Sequence, residues 1–89
     1  MSRQRSLQTI AEAEYISIGE LARLTGTRYS TLKFYTEEGM LPFQQEGEKL
    51  VRRYHREESI LRLQRIRQMR EEGLTIPQIQ GVLKSDEEE

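Results

Sequence analysis

Eighty-nine residues make one domain with a thin core. Hydrophobic residues make up 35% and charged residues 33%, and no apolar run approaches the ~20 residues of a spanning helix, so the balance fits a small, solvated helical domain and excludes a membrane protein. The absence of cysteine and the single histidine exclude disulfides and a cysteine–histidine metal cluster, and the opening MSRQRSLQT lacks the apolar core of a secretory signal. A cytoplasmic location is the default, with no metal and no cofactor expected.

The formal net charge of −1 hides an uneven distribution. Asp86 to Glu89 are all acidic, whereas Lys49 to Arg70 hold eight cations (Lys49, Arg52, Arg53, Arg56, Arg62, Arg65, Arg67, Arg70) against Glu57 and Glu58, a local +6. Clustering of this kind, more than overall charge, marks a surface for a polyanion. A solvated helix face is the competing reading for Arg62 to Arg70.

In chain order, residues 1–14 show no firm period and are set apart as a flexible leader, in which Arg3 and Arg5 suit a basic arm. Leu7, Ile10 and Ala11 would alternatively form one amphipathic turn. The domain proper is placed at 15–84. Ser17 and Glu20 have the spacing of a capping box, which starts a first helix with Ile18, Leu21, Ala22 and Leu24 on its apolar side. Gly26 is placed to reverse the chain, and Thr27 to cap a second helix over about 28–38 whose apolar side is Tyr29, Leu32 and Tyr35. Gly39 and Pro42 stop it. Two short helices about a glycine turn describe a helix-turn-helix, an element that commonly sets the start of its second helix in the major groove of DNA. Arg28, Ser30, Thr31 and Lys33 are polar there; arginine can pair with both guanine O6 and N7, and Ser and Thr are permissive readers. The amino end of the first helix, at Ser17, is placed to hold a phosphate oxygen.

From Met40 to Tyr54 the sequence reads as a wing, with PFQQ and KLVRRYH flanking a polar turn at Gly47 and Phe43 as its anchor. A third helix over about 57–72 carries Ile60, Leu63, Ile66 and Met69 inward, with Leu61 off that line. Gly73 ends it. Thr75 and Gln78 repeat the capping-box spacing for a fourth helix with Ile76, Ile79, Val82 and Leu83, and Pro77 is tolerated in its first turn. Past Leu83 the chain should fray, leaving 85–89 as an acidic disordered tail. The expected fold is mostly α: a winged helix-turn-helix of four short helices, with a small β-hairpin wing between helices 2 and 3.

The run SIGELARLTG, then LKFY, EEGML and Pro42, resembles the DNA-binding domain of the MerR family, whose helices read I-G-E-L-A and L-R-Y-Y-E before a G-L-L-P turn. The likeness continues through RRYHREESILRLQRIRQMREEGLTIPQIQGVL and covers Ile16 to Leu83. It implies a double-stranded DNA partner and transcriptional regulation, with a contact to phosphate or base from Lys33, at the arginine of L-R-Y-Y, and one from Tyr35, at its second tyrosine. Phe34 lacks the hydroxyl of the first tyrosine, and Ser30 stands where many relatives have arginine. Arg52 and Arg53 match an arginine pair seen in some relatives and are expected on the DNA backbone beside the second helix. His55 takes the place of a common wing-end aromatic. Together with Thr27, Tyr29, Lys49 and Arg56, these residues complete the expected DNA-binding set. The family's long coiled-coil helix and sensor domain are absent from this sequence, so no small-molecule effector is expected and self-association on DNA or a homodimer is left open. An excisionase-like, DNA-bending factor and a protein-interaction module are the alternatives. Enzymatic chemistry is not expected: Glu37–Glu38, Glu57–Glu58 and Glu71–Glu72 are adjacent pairs that diverge around a helix, and no nucleophile–base spacing appears.

Overall fold

The computed structural model describes residues 5–45 and 51–87. The elements run α1 (Leu7–Glu12), β1 (Tyr15–Ile16), α2 (Ile18–Thr25), α3 (Tyr29–Glu37), β2 (Tyr54–His55), α4 (Arg56–Glu71) and α5 (Ile76–Glu87). The mostly helical winged helix-turn-helix expected from sequence is present, with one helix more.

The helix-turn-helix forms as its sequence dictates. Ser17 Oγ accepts from the Glu20 amide at 3.1 Å while Glu20 Oε1 accepts from the Ser17 amide at 2.9 Å, closing the capping box. Leu21 is fully buried, and Gly26 ends α2 at φ 71°, a left-handed conformation that glycine enters without a Cβ clash. Thr27 does not cap α3. Arg28 occupies the cap position with no side-chain cap bond, and the Thr27 amide instead donates to Thr25 Oγ1 at 3.3 Å. Tyr29 also departs from the expected apolar side, being 55% exposed. Leu32, Tyr35 and Thr36 define the buried stripe, and Tyr29, six residues before Tyr35, lies about 120° from it around the helix.

After α3, Met40 and Leu41 bury completely, and Gln44 and Arg53 exchange two backbone hydrogen bonds of 2.8 Å, which form the base of the wing. The turn at Gly47, and Lys49 with it, lies outside the described residues. The returning strand also does something the sequence does not announce. Its next two residues form β2 and pair antiparallel with β1, Ile16 opposite Tyr54 and Tyr15 opposite His55. A strand has two edges, so the segment that closes the wing also ties it to the entry of α2.

The stretch set apart as a leader contains α1. Ser6 caps it through the Thr9 amide, and Ile10 is fully buried among Ile16, Leu21, Leu32, Tyr54 and the other core residues. Ile10 is the one buried side chain of this six-residue helix, too little to set a period in the sequence, yet its burial stabilises the fold by about 1.5–3 kcal/mol. Arg5 is likewise no free arm. Its guanidinium grips the Glu20 carboxylate through two bonds of 2.6 Å, and Arg23 donates to the Arg5 carbonyl at 2.9 Å.

In α4 Leu63, Ile66 and Met69 face inward, Ile60 is half-buried and Leu61 is exposed. Gly73 takes φ 93° beyond its end, and Thr75 with Gln78 closes the second capping box. The expected fraying after Leu83 is also corrected: α5 continues to Glu87, where Glu87 pairs with Arg62 at 3.1 Å and Asp86 pairs with Arg65. Among the described residues no helix is long and apolar enough to cross a membrane.

Candidate nucleic-acid interface

Helix α3 lies with Leu32, Tyr35 and Thr36 inward, so Arg28, Tyr29, Ser30, Lys33 and Phe34 are on its exposed side. Three contacts fix its far end. Gln80 Nε2 of α5 donates to the Glu38 carbonyl at 2.9 Å, and an Arg62 nitrogen of α4 donates to the Met40 carbonyl at 3.1 Å. The third is buried: Thr36 Oγ1 and the Tyr54 hydroxyl meet at 2.8 Å. Thr36 Oγ1 already donates its one proton to the Leu32 carbonyl at 2.8 Å, so Tyr54 is the donor of this bond. This bond joins the exposed helix to the strand at the base of the wing and sets one against the other.

Thr27 and Thr31 are half-buried and turn toward α4. They border an open groove of about 760 Å³ whose other walls include Leu24, Ile60, Leu63 and Arg67. Tyr35 is buried beside it, a core aromatic as well as a groove residue. Ser17 spends its hydroxyl on the capping box.

On the wing, adjacent strand residues face opposite ways. Arg52 is half-buried with its guanidinium 4.8 Å from the centre of the Phe43 ring, which in turn rests on Tyr54. Arg53 is exposed and borders a smaller cavity of about 230 Å³ with Tyr15, Gln44, His55 and Ser59. The two arginines, expected to act alike, therefore occupy different positions. His55 and Arg56 are tied internally. His55 Nδ1 accepts from the Glu58 amide at 3.3 Å as the cap of α4, and its ring meets Tyr15 edge to face. Arg56 Nε donates to the Ala13 carbonyl at 2.8 Å and its amide to the Glu14 carbonyl at 2.9 Å. Histidine as a helix cap and arginine as a strap over the α1–β1 link leave no pattern in the sequence.

One carboxylate is strongly perturbed. The Arg5 fork, opposed by burial and aided by the Ser17 amide, holds Glu20 down to about 2 from 4.5. Its charge is thus cancelled beside the first turn of α2, where the helix dipole favours anions.

The cations sort into two groups. Arg5, Arg23, Arg56, Arg62, Arg65 and Arg67 each hold a carboxylate or carbonyl, and Arg52 lies on Phe43. Arg28, Lys33, Arg53, Arg70 and Lys84 engage no partner with their side chains among the described residues. Three of these five are on α3 and the wing.

A tightly turned helix pair, a wing tied to its second helix and a polar, cationic outer face define a winged helix-turn-helix protein. The model of the MerR HTH family of regulatory proteins matches residues 16–86. The chain belongs to that family of DNA-binding transcriptional regulators, which is not a family of enzymes. No curated protein and no solved structure matches the chain. Helix α1 lies before the matched region.

Proposed function

We propose that the protein is a sequence-specific regulator of transcription that binds double-stranded DNA, with the start of α3 in the major groove and the wing along the adjacent backbone. The observation that carries this reading is the distribution of unengaged charge: among the described residues Arg28, Lys33 and Arg53 engage no partner with their side chains, while most other cations are spent inside the fold. Arg28 reads a base, guanine by the geometry of its fork, with Ser30 as a permissive neighbour. Lys33 and Arg53 neutralise phosphates, and Arg52 contributes less because Phe43 holds it. Protomers bind side by side on repeated sites or as a homodimer, in the cytoplasm and on the nucleoid.

The test is a salt titration of binding to a labelled duplex. Each neutralised phosphate contributes about −0.9 to the slope of log K against log salt. Arg53→Ala should weaken all duplexes alike and flatten that slope by about 1. An unchanged slope would remove the wing from the backbone.

A further inference from the structure

The chain has two phenylalanines, and both are partly exposed. Phe43 is used by the fold, with Arg52 over its ring and Tyr54 beneath. Phe34 is 45% exposed, in the middle of the polar outer side of α3. Its ring meets that of the buried Tyr35 at 6.0 Å and a tilt of 54°, which steadies one side and leaves the other to solvent. At about 100° per residue, Ser30 and Phe34 both stand about 160° from the buried Leu32, opposite the core stripe. Helical side chains lean toward the amino end, so Phe34 leans over the turn that holds Ser30, whose short side chain gives it room. Beyond Phe34 this side carries the exposed carboxylates Glu37 and Glu38, which repel phosphate.

A phenyl ring offers a phosphate nothing, and it would desolvate a base-edge donor or acceptor without replacing the lost hydrogen bond. The apolar group on the floor of the major groove is the C5-methyl of thymine, which phenylalanine can contact. We propose that Phe34 is a specificity-determining residue of the α3 face, reading thymine through its C5-methyl group. The proposal rests on the DNA-binding reading above and adds a base that the cations of α3 do not select. Six residues of helix span about 9 Å, so the thymine lies within a few base pairs of the guanine assigned to Arg28.

The experiment uses the full chain and the duplex selected by it from a random pool, with each thymine in turn replaced by deoxyuridine, which removes only the methyl. The native chain should lose about four-fold in affinity at one thymine, the worth of one buried methyl-sized group. Phe34→Ala should bind the thymine and uracil duplexes equally and keep its preference for guanine, whereas Phe34→Leu, still apolar, should keep part of the methyl effect. The salt slope should be the same for all three proteins, because an apolar contact releases no counterion. An equal uracil penalty in the native chain and Phe34→Ala, or no penalty at any thymine of a selected duplex, would overturn the proposal. A slope flattened by Phe34→Ala would also overturn it, reducing Phe34 to a support for Lys33. Failure of the native chain to select any duplex would instead remove the base-reading account itself, and this proposal with it.

Discussion

The buried bond between Thr36 and Tyr54 gives a sharp test of how α3 is held. Because Thr36 Oγ1 donates to the Leu32 carbonyl and only accepts from Tyr54, the two partners are not equivalent. Tyr54→Phe removes one hydrogen bond and leaves Thr36 still bonded to Leu32, which should cost about 0.5–1.5 kcal/mol. Thr36→Val keeps the branched shape but strands the Tyr54 hydroxyl, on a side chain with no exposed surface, as an unsatisfied donor. That should cost about 1–3 kcal/mol. Replacing both removes the stranded donor, so the double variant should be more stable than Thr36→Val alone. For a domain of this size each kcal/mol moves the melting temperature by about 4–8 °C, and thermal unfolding followed by circular dichroism resolves the order. Tyr54→Phe costing as much as Thr36→Val, or strictly additive effects, would refute the donor assignment.

Three further outcomes follow from the packing and charge. Glu20 is held at about 2 against 4.5, so the stability its ionised form contributes is complete above about pH 4.5 and is lost as pH falls toward 2; Glu20→Gln should shrink the decline in melting temperature across that window. Ile10→Ala should destabilise the domain by about 2–5 kcal/mol in urea unfolding, and an effect under 0.5 kcal/mol would mean α1 is not part of the core. Ser59 Oγ is buried with no hydrogen-bond partner among the described residues, so Ser59→Ala should be neutral or stabilising in the same assay.

What the sequence revealed, and what it concealed, follows from the range of the interactions. Ser17 with Glu20 and Thr75 with Gln78 satisfy their own neighbours' amides, so three-residue spacing was enough to place both helix starts. Gly26 and Gly73 hold the backbone conformation only glycine adopts freely, and the helix ends fell beside them. Concealed were the features made by residues far apart. Arg5 reaches Glu20, Arg56 reaches Ala13, and β2 pairs with β1 across nearly forty residues. The candidate interface divides in the same manner. Arg28, Ser30 and Lys33 were legible because helical period sets them outward. The parting of Arg52 from Arg53 needed Phe43 in place, and His55 and Arg56 turned out to serve the fold because their partners lie on other elements.

The central claim is that the outer face of α3 reads base sequence, and selection of bound duplexes from a random DNA pool tests it most directly, with the native chain and Arg28→Ala run in parallel. The account predicts an enriched motif for the native chain that loses preference at one guanine position in the variant, a change of about 1–3 kcal/mol in discrimination there. No enrichment by the native chain, or an identical motif from both proteins, would contradict it.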